Sequence, residues 1–189
     1  MTTPESAGAV EELRTATRSL HDRLDRDLPL AREHADLADY VRHLMVMRDW
    51  QCALVPWLTR TDCDLSGLAL AQQDIDDGPT LSAPALAPID TTPMRLADDG
   101  SAAFCWGATY VLEGSRLGGL VLYRRLHSRL APHPLRYLRL RGETGRPWPE
   151  TLALLRGQLV SPGERRSACR GAVAAFELLV RRFEDAGCL

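Results

Sequence analysis

Lysine is missing from this sequence: the 189 residues contain 23 basic side chains, and every one of them is arginine. Asp and Glu number 25, which leaves a formal net charge of −2. A chain with so little net charge carries no global positive field that would attract nucleic acid or an anionic membrane. The composition therefore argues against a nucleic-acid-binding or membrane-surface protein.

Paired cysteines and long apolar runs are missing as well. The five cysteines are widely spaced and no C-x-x-C motif is present, so neither a zinc site nor a disulfide framework is predicted. No apolar run approaches the roughly 20 residues that span a bilayer, and the first residues lack the basic and apolar regions of an export signal. We expect a cytoplasmic protein with reduced thiols.

What the chain does contain is helical periodicity. A length of 189 residues fits a single domain, 1–189, whose residues 1–8 we expect to be flexible. Apolar residues recur at three- and four-residue steps from Val10 to Leu28 and again after Asp36, as on one face of a helix. No segment alternates as a strand would, so the sequence predicts an all-α fold.

Start and stop signals give the expected helix boundaries. Asp36, Ser101 and Ser161 are good N-cap residues, and a proline or glycine follows most apolar stretches. The predicted helices cover 5–28, 36–56, 66–76, 101–130, 135–140, 150–159 and 161–187. Residues 77–100 hold several prolines and are predicted to be irregular.

A histidine on the first predicted helix is a candidate metal ligand. His21 borders the apolar stripe, and Asp25 follows one turn later, where it can accept a hydrogen bond from the imidazole nitrogen that does not bind a metal. Arg14 and Arg18 precede on roughly the same side. A His–Asp pair flanked by arginines is also typical of a solvated helix face, so this segment alone leaves both interpretations open.

Three glycines lie within six residues of an apolar helical stretch: Gly114, Gly118 and Gly119. Each interior glycine costs roughly 1 kcal/mol of helix stability relative to alanine. The cluster therefore predicts an interruption of the helix, and its presence needs an explanation. Close helix packing is one reason. Another is a helix backbone that lies almost against a flat ligand, where a Cβ has no room. The cluster favours a ligand.

Three segments carry a family resemblance. Residues 13–25, LRTATRSLHDRLD, resemble the proximal helix of haem oxygenases. Residues 110–119, YVLEGSRLGG, look like the distal helix of the bacterial, bacteriophytochrome-associated, biliverdin-producing branch of that family, and residues 174–179, AAFELL, are similar to its late helix. The motifs follow the family's order, and 60–100 is the least recognisable part of the chain.

The resemblance implies a haem oxygenase-like fold in which haem is sandwiched between a proximal helix and a kinked distal helix. His21 would be the axial ligand of the haem iron, with Asp25 as the hydrogen-bond partner of its imidazole. The distal residues implied in catalysis are Gly114, Ser115, Gly118 and Gly119. The other implied haem contacts are Arg14, Arg18 and Arg156 at propionate-binding positions and Phe176 on the pocket wall.

The same resemblance implies an enzyme, an oxidoreductase for which haem is both cofactor and substrate. Oxygen-dependent cleavage would give biliverdin, carbon monoxide and ferrous iron. Electrons would come from an external ferredoxin or reductase, since the chain has no glycine-rich dinucleotide motif. A bacteriophytochrome is a candidate recipient of the biliverdin, and we expect a monomer with no nucleic-acid or membrane partner.

Two other interpretations stay open. The same pocket could serve a non-catalytic haem or bilin carrier. A helical enzyme of the thiaminase-like group would share the broad fold, although the sequence shows no obvious pair of acidic and cysteine residues for it. Animal-type haem oxygenases also carry an aspartate directly after the first distal glycine, where this chain has Ser115, so the group that orders a distal water stays open.

The remaining polar residues receive simpler predictions. Cys105 is expected in the core rather than as a haem thiolate, and the acidic run 74–77 is expected to be a solvated loop, because it lacks the glycine and glutamate of a calcium loop. The other histidines, expected at the surface or internally hydrogen-bonded, are His34, His43, His127 and His133. Three arginines are either a solvated face or a docking patch for an acidic electron donor: Arg124, Arg125 and Arg129.

Overall fold

The computed structural model describes residues 5–81, 88–143 and 146–189. Within these ranges the chain forms eight α-helices and no β-strand. The helices are α1 (Glu5–Asp27), α2 (Leu37–Leu58), α3 (Ser66–Asp76), α4 (Thr92–Ala97), α5 (Ala102–Leu126), α6 (Arg136–Glu143), α7 (Trp148–Gln158) and α8 (Pro162–Asp185). The all-α prediction is confirmed. Residues 1–4 of the expected flexible N-terminus lie outside the described residues, and 5–8 begin α1.

The predicted N-caps hold the helix starts. Asp36 accepts a hydrogen bond from the Asp39 amide at 2.8 Å, and the Asp39 carboxylate accepts one from the Asp36 amide in return. Ser161 and Glu164 form the same reciprocal capping box at the start of α8, and the Ser101 hydroxyl caps α5. These are the contacts that local sequence patterns specify best.

Three boundaries differ from the prediction. α2 continues past Pro56 to Leu58, because a proline in the last turn removes only one helical hydrogen bond. The short helix α4 lies in the segment predicted to be irregular, of which residues 82–87 are outside the described residues. α5 is helical without a break from Ala102 to Leu126, so its glycines do not interrupt it.

Three long helices run side by side in the same direction, with α1 and α5 both packed on α8. From one end to the other, the contacts of α1 with α8 are Glu12–Arg165, His21–Phe176 and Arg23–Glu184. The contacts of α5 with α8 advance in the same sense, from Ser101–Ser167 to Gly107–Ala172. α7 packs on both α1 and α5 and completes this side of the molecule.

Two glycines let α5 and α8 meet almost backbone to backbone. A Cβ on Gly107 would lie 1.9 Å from the Ala168 carbonyl oxygen, and one on Gly171 would lie 2.0 Å from the Phe104 carbonyl oxygen. Neither distance is sterically possible, so both positions require glycine. This crossing lies within the core, where Phe104 is fully buried.

The rest of the core is built around α2. Trp50 is fully buried and donates a hydrogen bond from its indole nitrogen to the Ala175 carbonyl at 2.9 Å, which ties α2 to α8. Cys105 is fully buried, as predicted for a core cysteine, and burial raises the pKa of its thiol. Among the described residues, each helix is either too short or too polar to span a bilayer.

The prediction of a solvated loop at 74–77 was wrong. Asp74 lies on α3 and is fully buried. Its carboxylate accepts hydrogen bonds from the Tyr40 hydroxyl at 2.7 Å, the Tyr137 amide at 2.9 Å and the Arg136 guanidinium at 3.0 Å. Three donors from α2 and from the start of α6 compensate the cost of burying the charge.

Of the two buried histidines, His133 agrees with its prediction and His43 does not. His133 is buried with both ring nitrogens hydrogen-bonded, to the Asp74 carbonyl and the Leu135 amide, as expected for an internally satisfied residue. His43 is buried against Phe183, and its Nδ1 has no hydrogen-bond partner among the described residues. Burial lowers the pKa of His43 to about 4.

Candidate functional site

The candidate metal-binding histidine is exposed and paired with a carboxylate. His21 lies in the second half of α1 with 62% of its side chain exposed, and its Nδ1 is 3.0 Å from an oxygen of Asp25. Nε2 is therefore the nitrogen that remains available to a metal. The Phe176 ring of α8 lies beside the imidazole, with ring centroids 6.1 Å apart. The structure thus brings together His21, Asp25 and Phe176, as the resemblance implies.

The three candidate propionate-binding arginines are all at the surface. Arg14 lies 3.0 Å from a carboxylate oxygen of Glu11, and Arg18 lies 3.9 Å from the other oxygen. Arg156 is exposed on α7 and has no hydrogen-bond or ion-pair partner among the described residues. Two of these guanidinium groups therefore share an acidic neighbour that an anionic ligand would have to displace.

Tyr110 brings α5 into contact with α1. Its side chain, on α5, lies beside those of Thr17 and Arg14 on α1, and burial raises the pKa of its phenol. Both helices run in the same direction along α8. His21, one turn after Thr17, is therefore at the level of Gly114, one turn after Tyr110.

The glycines of the cluster are not packing glycines. A Cβ on Gly118 would meet no atom within 4 Å, and Gly118 itself is exposed. A Cβ on Gly114 would meet only the Trp148 indole, at 3.9 Å, and one on Gly119 would meet Leu138 at 3.7 Å. These are ordinary van der Waals distances, in contrast to the 1.9 Å found at Gly107. The protein alone gives no steric reason for glycine at these three positions.

Ser115 uses its hydroxyl hydrogen within the helix. Its Oγ donates to the Leu112 carbonyl at 2.7 Å, a common arrangement for serine inside a helix. Only the lone pairs of this oxygen remain available to a water molecule. Ser115 in this conformation can accept, but not donate, a hydrogen bond at the site.

A buried ionic cluster that includes two residues of α5 is not among the sites predicted from the sequence. Glu113 and Arg116 are both nearly fully buried and lie 2.6 Å apart. The thiol of Cys63 lies 3.6 Å from the same Glu113 oxygen. The spacing of Glu113 and Arg116, one helical turn apart, is visible in the sequence. Cys63 comes from a distant segment that only the fold brings near.

This cluster supplies the acidic and cysteine pair that the sequence did not reveal. Burial, followed by the negative charge of Glu113, raises the pKa of Cys63 to about 12. The thiol is thus protonated near neutral pH, and a protonated thiol is a poor nucleophile. The pair therefore gives little support to a thiaminase-like reaction.

A cavity in the described part of the chain lies away from these residues. It has a volume of about 770 Å³ and is lined by residues 33–37, Asp77 and residues 129–134. None of the predicted site residues lines it. Of the possible docking arginines, Arg124 and Arg129 are exposed, and Arg125 is held by the Leu30, Ala31 and Arg32 carbonyl oxygens.

The residues at the level of His21 and Gly114 fit a haem group. A histidine whose other nitrogen faces a carboxylate is the ordinary form of a metal-binding imidazole. The space beside Gly118, where a Cβ would touch nothing, admits the face of a flat ring. Arg14 and Arg18 on the same helix have the guanidinium geometry that binds carboxylates bidentately.

Comparison with known proteins finds a similarity to a haem oxygenase. A protein named heme oxygenase from Xanthomonas campestris pv. campestris (strain 8004) is 41% identical to this chain over 78 residues. The aligned segment covers 40% of this chain and 47% of that protein, so the match spans about half of the relative's length. No family model matches the chain. The match confirms the resemblance to the haem oxygenase family that the motifs of α1 and α5 indicate.

Proposed function

We propose that this protein is a haem oxygenase that cleaves haem to biliverdin, carbon monoxide and ferrous iron. The observation that carries the proposal is the glycine stripe of α5, which consists of Gly114, Gly118 and Gly119. It begins at the level of His21, and no packing contact requires its glycines. Gly107, on the same helix, is glycine because α8 touches it, whereas a Cβ on Gly118 would touch nothing. A helix that keeps such glycines loses stability, and a ligand that approaches the backbone explains the loss.

His21 is proposed to bind the haem iron through Nε2. The Asp25 oxygen lies 3.0 Å from Nδ1, where it would accept a hydrogen bond, orient the ring and strengthen the imidazole as a ligand. Phe176 packs beside the imidazole and would form the neighbouring pocket wall. Bound haem would supply both the iron that activates oxygen and the porphyrin ring that is cleaved.

The backbone of Gly114, Gly118 and Gly119 is proposed to lie over the opposite face. Without side chains, this stretch limits the space above the iron to small molecules. Ser115 lies within the same turn and can accept a hydrogen bond from a water there. Its hydroxyl hydrogen is donated to the Leu112 carbonyl. A hydrogen bond donated to the distal water would therefore come from another group.

Arg14, Arg18 and Arg156 are proposed to bind the propionates and so fix the in-plane rotation of the ring. Replacing each in turn with alanine should broaden the set of biliverdin isomers, while the binding free energy falls by roughly 1–3 kcal/mol, or about 5- to 150-fold in affinity, the scale of one charge-assisted hydrogen bond. Chromatography of the products checks this. A single unchanged isomer from all three variants would contradict the assignment.

Partners and setting follow from the proposed reaction. The protein would act as one domain, 1–189, in the cytoplasm and as a monomer. A ferredoxin or reductase would deliver the electrons, and a bacteriophytochrome is a candidate recipient of the biliverdin. The electron donor and the biliverdin recipient are proposed from the family resemblance.

The deciding experiment is a hemin titration followed by ascorbate in air. We expect a saturable Soret band that disappears after reductant is added, with biliverdin absorption in its place. Catalase in the buffer removes free peroxide, and an argon-flushed sample is the control for oxygen dependence. A Soret band that persists in air with reductant indicates a haem or bilin carrier instead, and no binding of hemin rejects both functions.

A further inference from the structure

Trp148 covers the first turn of the glycine stripe. It is the first residue of α7, and its ring lies 5.7 Å from that of Tyr110, with the planes tilted by 39°. Its Cη2 atom would lie 3.9 Å from a Cβ built on Gly114. The six-membered ring of the indole therefore covers α5 from Tyr110 to Gly114.

The uncovered part of α5 begins beyond this indole. Gly118, one turn after Gly114, has no atom within 4 Å of the position of its Cβ. A flat ring that lies on Gly118 can extend toward Gly114 only until it reaches Trp148. The indole therefore forms one end of the space that the glycines leave.

The position of Trp148 is set by the packing on both sides. α7 continues into the core through Thr151 and Leu155, which are both fully buried, and α7 packs on α1 as well as on α5. Tyr110 backs the indole and is itself held beside Thr17 of α1. The aromatic pair thus belongs to the helical framework rather than to a surface loop.

We propose that Trp148, backed by Tyr110, is the wall residue that determines how far a planar tetrapyrrole reaches along α5. This inference rests on the proposed function, which places such a ring on the glycine stripe. Aromatic contact with a flat conjugated ring contributes affinity beyond the area it buries. By fixing the position of the ring, the wall also selects which edge of it lies over Gly118, and thus which isomer is released.

The test uses gallium protoporphyrin IX, a redox-inert analogue whose binding is followed by its own fluorescence, and the isomer distribution formed from hemin. The variants are Trp148→Phe, which keeps a flat ring, and Trp148→Ala, which does not. Trp148→Leu keeps apolar volume without a flat ring and gives the same test should Trp148→Ala fail to fold. Trp106→Phe, on α5 one turn before Tyr110, is the matched control for the loss of a tryptophan.

We expect Trp148→Ala and Trp148→Leu to bind gallium protoporphyrin about three- to tenfold more weakly and to release a mixture of isomers. Trp106→Phe should match the parent protein in both measurements, and Trp148→Phe, whose shorter ring reaches less far toward Gly114, should lie between the parent and Trp148→Ala. The proposal that Trp148 is a wall residue is contradicted if all variants bind within twofold of the parent and release its isomer. It is also contradicted if Trp148→Phe loses as much affinity as Trp148→Ala. If the parent itself binds no porphyrin, the proposed haem function fails, and the wall fails with it.

Discussion

His21 and His43 show how differently two histidines are placed in one helical fold. His21 is 62% exposed and faces a carboxylate, so a metal could bind to it without disturbing the core. His43 is 8% exposed, and its Nδ1 lacks a partner among the described residues. Substitution should therefore affect ligand binding at His21 and folding stability at His43.

Replacing His21 with alanine should abolish haem turnover while the melting temperature stays close to that of the parent. The exposed imidazole contributes little packing, so the fold should survive its removal. The Soret spectrum and the turnover rate check the loss, and added imidazole should restore part of both. His34→Ala, another exposed histidine on the chain, is the control. Parental turnover in His21→Ala would show that the iron ligand has been misassigned.

The buried His43 should make the protein sensitive to mild acid. Its pKa is about 4 in the folded protein, because burial disfavours the charged ring, against 6.5 for the ordinary side chain. As the pH falls below 6.5, the unfolded chain takes up a proton that the folded protein excludes, so the free energy of unfolding falls. The loss should reach about 3 kcal/mol near pH 4.

Urea unfolding between pH 7 and pH 4 measures this effect. The variant His43→Leu should show a flatter dependence of stability on pH, since it carries no proton-binding group at this position. Equal slopes for the parent and the variant would rule out His43 as the source of the acid sensitivity.

At the scale of the element, α5 carries glycines of two kinds. Gly107 lies where α8 leaves no room for a Cβ, and Gly118 lies where a Cβ would touch nothing. Sequence alone gives both the same intrinsic helix penalty. Only the packing separates the glycine that the fold requires from the one that it tolerates.

The two positions should respond in opposite directions to alanine. Gly118→Ala should stabilise the protein by about 0.5–1 kcal/mol through helix propensity. Gly107→Ala should destabilise it by about 1–3 kcal/mol, since the helices must separate. Thermal or urea unfolding of the two variants checks the contrast. Equal effects at both positions would contradict the distinction.

A larger side chain at Gly118 tests the ligand separately. Gly118→Leu should fold with a melting temperature near that of the parent, yet lose hemin binding or turnover, because the side chain would fill the space above the ring. Intact activity per folded molecule in Gly118→Leu would mean that no ligand approaches this turn.

Local patterns predicted the helices well and distant contacts poorly. The caps at Asp36 and Ser161 depend on residues three positions away, and the His21–Asp25 pair lies within one turn, so the sequence specifies them. The pairing of Cys63 with Glu113 joins residues 50 positions apart. It depends on how α5 packs against the chain that follows α2, and no local pattern records this.

For the whole molecule, Asp74 joins its own helix, α3, to the preceding helix α2 and to the distant helix α6. Its carboxylate accepts from Tyr40 of α2 and from Arg136 and Tyr137 of α6. This single buried charge therefore anchors α3, within the segment where the family resemblance is weakest. Tertiary packing, rather than a recognisable motif, holds this part of the fold.

Asp74→Ala should lower the free energy of unfolding by about 2–4 kcal/mol, because it leaves three donors without their buried acceptor. Urea unfolding measures the change. Asp76→Asn, at an exposed position of the same helix, is the matched control and should stay within about 0.5 kcal/mol of the parent. A similarly small effect of Asp74→Ala would show that water replaces the carboxylate at little cost.

The tight crossing of α5 and α8 at Gly107 would be the fixed point of any tilt between these two helices. At 1.5 Å per residue, Gly118 lies about 16 Å further along α5, where no neighbour restrains the open side. A rotation of about 5° about the crossing would displace Gly118 by roughly 1.4 Å over that lever arm and leave the Gly107 contact unchanged. Because of the spacing between the two glycines, a small tilt of one helix would change the width of the proposed site. The change would be comparable to the radius of a water molecule.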